Sequence, residues 1–355
     1  MTSAQTWPTI LTKLLAGEAL ERAEAAWAMS EIMSGEASEA QVGAFMIALR
    51  AKGETTVELA GLVDVMLEHS VLLDTGNDAV DIVGTGGDLV GTVNISSMSA
   101  ILTAATGVPV MKHGSRSASG KTGSSEMLEV LGVRLDLSPE AVADVFREVG
   151  LTFFFAPVFH PAMRHVAPIR KALGIPTTFN FLGPLANPAQ PIATSLGVSN
   201  PFIAPLMAAE MANRGRTALV FRGSDGLDEL TTTGLSQIWQ VSGGEVREFK
   251  FDPRDLGLKQ AKLEDLVGGD PHHNAQIARM VLGKDTADRD LSAIRDIVLL
   301  NAASGVVAYE LAKDANLAEV SLNQRFESAL SKVRLALDGS AASDKLSQWI
   351  AATQA

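Results

Sequence analysis

The periodicity of the chain changes once, at Asp74-Thr75-Gly76-Asn77-Asp78, and that change restricts the architectures open to it. Before it, apolar residues recur only at helical spacing: Leu11, Leu14 and Leu15, then Ala25, Met29, Ile32 and Met33, then Leu59, Leu62, Val63, Met66 and Leu67. Ser38 with Gln41 three residues on reads as a capping box opening the helix of Val42, Phe45, Met46 and Leu49. After it, short apolar runs alternate with helical ones. Strands are predicted over 80–83, 108–111, 152–155, 218–221, 237–241 and 246–251, the last two joined through Ser242-Gly243-Gly244. Helices are predicted over 95–106, from Ser138-Pro139 to Gly150, and from Asp270-Pro271 onward. The reading is a small all-helical unit hinged to a larger α/β unit, which 355 residues can accommodate as two domains.

Charge narrows the function. With 29 basic and 41 acidic residues the net charge is −12, which repels polyanions, so neither nucleic acid nor an anionic membrane is expected as a partner. No apolar run reaches the roughly 18 residues that span a bilayer. Glu18, Glu21 and Glu24 near the start do not read as a signal peptide, so a cytoplasmic protein is expected. The absence of cysteine excludes disulfides, a thiol nucleophile and a cysteine zinc site. Yet the acids are unevenly spread. None occurs between Asp88 and Glu126, a stretch holding Lys112, His113, Arg116 and Lys121. None occurs between Glu148 and Glu210, a stretch holding His160, Arg164, His165, Arg170 and Lys171. Bases kept where acids are excluded point to a pocket for anions; burial alone would remove both signs.

Three motifs fit such a pocket. Gly84-Thr85-Gly86-Gly87-Asp88 follows a strand and can aim backbone N–H groups at phosphate, although it is neither a P-loop nor a dinucleotide fingerprint. Thr92, Asn94, Ser96 and Ser97 then place hydroxyl and amide groups at a helix start. The segment 112–124 carries four basic side chains, four serines, a threonine and three glycines, enough to surround several phosphate oxygens. Asp225-Gly226-Leu227-Asp228-Glu229 after a strand is either an exposed loop or, beside a polyphosphate, a Mg2+ site. Arg170 is either a bidentate carboxylate partner or part of a solvated helix face. The neighbouring His272 and His273 read as surface residues.

These motifs, with His160-Pro161-Ala162-Met163 and Phe179-Asn180-Phe181-Leu182-Gly183-Pro184-Leu185-Ala186-Asn187-Pro188-Ala189, occur in the order seen in the anthranilate phosphoribosyltransferase family, which the chain resembles to about residue 310. The resemblance implies the nucleoside-phosphorylase-like phosphoribosyltransferase fold. Its helical, dimerising domain would comprise residues 1–73 and about 163–187. An α/β domain with a central mixed sheet would comprise 74–162 and 188–355. It implies transfer of the phosphoribosyl group of phosphoribosyl pyrophosphate to anthranilate, with Mg2+ as cofactor and a homodimer as assembly. The donor would lie on Gly84, Gly87, Asp88, Thr92, Asn94, Ile95, Ser96, Ser97, Lys112, His113, Gly114, Ser115, Arg116, Ser117, Ala118, Ser119, Gly120 and Ser124. Anthranilate would meet Gly84, Ser115, His160 and Arg170. Mg2+ would be held by Ser96, Asp228 and Glu229, and Lys112, Asp228 and Glu229 would carry the catalytic charge.

Two positions depart from the family pattern. Ser115 stands where the family has an Asn that touches anthranilate, and Leu89 where it has a Gly, so a positive φ there would strain this chain. Two rivals are a pyrimidine nucleoside phosphorylase-like enzyme and a non-catalytic nucleotide- or nucleic-acid-binding relative.

Overall fold

The computed structural model describes residues 5–73, 75–116, 122–283 and 290–355. The chain divides into two compact units, Met1–Leu72 with Ala156–Pro188, and Leu73–Phe155 with Ala189–Ala355. The segment returning to the helical unit therefore starts at Ala156, earlier than the expected 163.

The helical unit opens with α1 (Trp7–Leu15), α2 (Arg22–Ser34), α3 (Glu39–Lys52) and α4 (Thr56–Glu68). The Ser38 capping box is present in α3: Ser38 accepts from the Gln41 N–H, and the Gln41 carboxamide accepts from the Ser38 N–H at 2.9 Å. Thr55 and Glu58 repeat the device at α4. Glu58 is fully buried, where it accepts from the Leu20 N–H at 2.9 Å and pairs with Lys52 at 2.9 Å, so its charge is neutralised. The returning segment adds helices Ala156–Phe159, Ala167–Leu173 and Phe179–Leu185 and a 3₁₀ turn, Pro161–His165. Pro168 lies in the first turn of Ala167–Leu173, so it starts a helix rather than interrupting one.

In the larger unit seven strands form one mixed sheet, ordered β3-β2-β1-β4-β5-β6-β7. They are β1 (Val80–Gly84), β2 (Val110–Gly114), β3 (Leu151–Phe155), β4 (Ala193–Gly197), β5 (Thr217–Gly223), β6 (Ser236–Ser242) and β7 (Glu245–Phe251). The first five are parallel, and β6 and β7 turn back antiparallel at one edge. β4 is absent from the sequence reading because Ala193, Thr194 and Ser195 give no branched apolar signal. It is buried throughout, and Ser195 shares a 2.6 Å hydrogen bond with Ser304. β2 also differs from expectation. It runs on through Lys112 and His113 because both pair with β3 in parallel register, opposite Phe153 and Phe154.

Helices α5 (Ile95–Ala105), α6 (Ser124–Leu131) and α7 (Pro139–Val149) connect the first strands. Helix Ser292–Lys313 is long and apolar enough to cross a membrane by length and composition, although no such run was expected. It is mostly buried, packed on β4, β5 and α5, with the Ser99 and Thr103 hydroxyls donating to the Val298 and Ala302 carbonyls at 3.2 and 3.0 Å. That burial is the mark of a core helix.

Candidate active site

β1 neighbours both β2 and β4, so the chain switches direction across the sheet between β1 and β4. A crevice at the C-terminal ends of the strands is expected at such a point. Gly84 and Gly197 face each other there in register. A Cβ on Gly197 would sit 1.7 Å from the Asp228 carbonyl oxygen, and one on Gly84 2.2 Å from Asp228 Oδ2. The two glycines thus let the loop after β5 lie directly across the sheet ends, and so set where Asp228 stands.

Asp228 Oδ2 accepts from the Gly86 N–H at 2.7 Å, which ties the glycine turn to the Asp-Glu pair across 142 residues of sequence. The Asp88 and Asp228 carboxyls are close enough to interact, each raising the cost of ionising the pair. Burial, and then the Asp88 charge, pushes the Asp228 carboxyl up to about 7. Glu229 is held well above the ordinary carboxylate range by burial and then by Asp228, although Lys112 and the Ser96 backbone oppose this. Asp88 is raised by burial first.

The opposing charge is Lys112, only 2% exposed at the end of β2. Its Nζ donates to the Ile82 carbonyl at 2.5 Å and to Ser96 Oγ at 3.3 Å. Burial lowers its pKa, while Asp81, Glu229 and Asp228 raise it. Asp81, a fully buried acid inside β1, accepts from the His113 N–H at 3.0 Å and so fixes the same end of β2.

Several crowded carboxyl groups therefore face one lysine, and a divalent cation would relieve the burial and repulsion that hold back their ionisation. No group of three His, Cys, Asp or Glu among the described residues could hold a metal by itself. Mg2+ ordinarily takes one or two carboxylates together with water and substrate phosphate oxygens.

The remaining donor residues are unequally placed. Asn94 and Ser96 lie half-buried at the start of α5, whereas Ile95 and Ser97 are buried. The Ser97 hydroxyl has no hydrogen-bond partner among the described residues. Thr92 forms an antiparallel bridge with Val267. Ser115 is exposed, and its carbonyl accepts from Ser124 Oγ at 3.3 Å. Arg116 is engaged by Glu129 in a two-pronged pair at 3.0 and 2.8 Å, with its guanidinium 5.6 Å from the Phe155 ring centre. Ser117, Ala118, Ser119, Gly120 and Lys121, like Asp74, lie outside the described residues. Leu89 has φ 61° and is 82% exposed, so the strain expected of a leucine in a glycine position is present.

Two residues missed in the sequence hold the turn in place. Ser199, just past the missed strand β4, donates from Oγ to the Gly86 carbonyl at 2.7 Å and from its N–H to Thr85 Oγ1 at 3.2 Å. Arg222 Nε in turn donates to the Ser199 carbonyl at 2.7 Å.

In the helical unit, His160 is 2% exposed, and burial pushes its imidazole down to about 4 against hydrogen bonds with the Ala186 and Met66 backbone. It is neutral at pH 7 and joins the two segments of that unit. Arg170 is half-buried on helix Ala167–Leu173; burial lowers its pKa with no acid of the described residues opposing. A guanidinium so placed is available to a ligand carboxylate.

Known proteins share this plan. A family profile described as "Glycosyl transferase family, a/b domain" matches residues 76–338, and one described as "Glycosyl transferase family, helical bundle domain" matches residues 8–70. The chain is 51% identical over 354 residues to the anthranilate phosphoribosyltransferase of Leifsonia xyli subsp. xyli (strain CTCB07), with 100% of both chains covered. It is similar to the crystal structure of anthranilate phosphoribosyltransferase from Thermus thermophilus, with a TM-score of 0.86, 38% identity, and 98% and 99% of the two chains covered. It is also similar to the Saccharomyces cerevisiae enzyme in complex with PRPP and Mg, with a TM-score of 0.86, 28% identity and 99% of each chain covered. From its carboxylate-lined switch point to both of its units, the chain belongs to the anthranilate phosphoribosyltransferase family of glycosyl transferases.

Proposed function

We propose that the enzyme transfers the phosphoribosyl group of phosphoribosyl pyrophosphate to the amine of anthranilate, releasing pyrophosphate, in tryptophan biosynthesis. The observation that carries this reading is the cluster of half-buried Asp88 and Asp228 with buried Glu229 beside Lys112, at the switch point of a member of this family. In the reaction the bond from ribose C1 to the pyrophosphate oxygen breaks and a bond from C1 to the anthranilate nitrogen forms. The amine then loses a proton to solvent.

The barrier lies in the charge left on pyrophosphate and the cationic character gained at C1, so fixed charges and positioning do the work. Mg2+, when bound by Asp228 and Glu229 with Ser96 nearby, supplies neutralisation of the leaving group. Lys112 holds a cation at the end of β2, where the Ile82 carbonyl and Ser96 keep it from moving. The amides of the glycine turn and of the first turn of α5 supply further N–H groups to phosphate. Arg170 takes the acceptor carboxylate through two parallel hydrogen bonds. Ser115 stands at the acceptor with a side chain shorter than the family's Asn. A cytoplasmic homodimer completes the proposal.

The test is direct. Adding phosphoribosyl pyrophosphate and Mg2+ to enzyme and anthranilate is expected to quench anthranilate fluorescence, with EDTA abolishing the change. No quenching at millimolar donor overturns the proposal.

A further inference from the structure

The amide of Asn274 is 2% exposed, on a helix (Pro271–Gly283) that contributes none of the residues assigned to substrates. It sits in the middle of a hydrogen-bond chain with a fixed polarity. At one end the Gly269 backbone N–H donates to Asn274 Oδ1 at 2.8 Å. Asn274 Nδ2 then donates to Asn94 Oδ1 at 2.9 Å, and Asn94 Nδ2 donates to the Gly123 carbonyl at 3.1 Å. A backbone N–H can only donate and a backbone carbonyl can only accept, so the two ends fix the orientation of both side-chain amides between them.

The consequence is specific. Asn94 has its oxygen turned inward to Asn274 and keeps its second Nδ2 hydrogen for a ligand. It can present a donor to an anion and cannot present an acceptor. The same segment holds its neighbours. The Val93 N–H donates to the Leu266 carbonyl at 3.0 Å, and the Gly268 N–H donates to the Gly91 carbonyl at 2.8 Å. Thr122 Oγ1 donates to the Gly269 carbonyl at 2.8 Å. Residues 266–269 with Asn274 thereby join the start of α5 to the entrance of α6.

We propose that Asn274 is a positioning residue for the donor diphosphate, setting the Asn94 amide so that an N–H faces phosphate. This rests on phosphoribosyl pyrophosphate being the donor. In Asn274→Asp the new carboxylate still accepts from Gly269 but cannot donate to Asn94. Asn94 must then turn its NH₂ toward residue 274, which sets its oxygen against the Gly123 carbonyl and withdraws the hydrogen meant for phosphate.

The experiment is a double-mutant cycle of Asn274→Asp and Asn94→Ala, read as the Kd of phosphoribosyl pyrophosphate with Mg2+ by calorimetry, with KM and kcat alongside. Asn274→Asp is expected to weaken donor binding about tenfold or more, the worth of one hydrogen bond to a charged group, and to raise the donor KM more than it lowers kcat. In the Asn94→Ala background the same substitution is expected to cost less than about twofold, because the residue through which it acts is gone. An equal loss in both backgrounds would mean that the added charge repels the donor directly, and this overturns the proposal. So does a fall in kcat or thermal stability with donor Kd unchanged. Asn274→Ala enters the same cycle if the Asp variant does not fold, with a smaller loss expected and the same criterion. Donor binding without anthranilate turnover in the unmodified enzyme would defeat the proposed reaction while leaving the cycle to decide on Asn274; no donor binding at all would defeat both.

Discussion

Replacing Asp228 with asparagine separates what the carboxylate cluster costs from what it does. Without metal, Asp228 holds its proton up to about pH 7, whereas an ordinary aspartate releases it near 3.8. The folded chain therefore binds this proton more tightly than the unfolded chain does. Linkage then makes folding stability fall as pH rises from about 4 to about 7, and the loss is complete just above that window. At roughly 1.4 kcal/mol per pH unit the loss comes to about 4 kcal/mol. Part of the side chain meets solvent, so this figure is an upper bound. The substituted carboxamide carries no charge, keeps an oxygen for the Gly86 N–H, and has an N–H to offer the Asp88 carboxylate. In EDTA at pH 8 the Asp228→Asn variant should melt several degrees above the unmodified chain, with the gap closing near pH 4.5. Mg2+ with phosphoribosyl pyrophosphate should raise the melting temperature of the unmodified chain only, and the variant should be inactive. Calorimetry at the two pH values measures this. A variant less stable than the parent at pH 8 in EDTA, or a gap independent of pH, would show that Asp228 is not a destabilising charge awaiting a cation.

Three further substitutions probe the same region. Gly197→Ala puts a methyl group into the Asp228 backbone and should cost about 3 kcal/mol in urea unfolding as well as most of the activity; near-normal turnover would contradict the close crossing of that loop. Leu89→Gly relieves a left-handed leucine that buries little, and after the added chain entropy of glycine it should stabilise the protein by about 0.5–1 kcal/mol. No gain in the urea midpoint would refute the strain. Ser115→Asn should lower the KM for anthranilate and leave that for phosphoribosyl pyrophosphate unchanged, and an unchanged or higher anthranilate KM would remove Ser115 from the acceptor site.

Local patterns were readable in this sequence and distant partnerships were not. The capping box at Ser38, the Pro139 helix start and the glycine turn ending at Asp88 depend on neighbours within a few residues, and each appears where its local chemistry directs. The acid-free stretches drew attention to Lys112, but its strand position depends on pairing with β3, about forty residues later in the chain. β4 escaped notice because its small residues are buried by neighbours rather than by their own hydrophobicity. The Glu129 partner of Arg116 lies on α6, thirteen residues on, beyond the reach of local pattern. Asn274, 180 residues from Asn94, carries no local mark of its partner at all.

The split helical unit bears on how the chain folds as it leaves the ribosome. His160 bonds to backbone at Met66 and at Ala186, so the first four helices wait for more than a hundred further residues before their bundle is complete. During that wait β1, β2 and β3 are already made, but the side of β1 meant for β4 has no partner until residues 193–197 emerge. Unpaired strand edges of this kind recruit other chains. A chain ending before residue 156 is therefore expected to aggregate on refolding more than the 355-residue chain does.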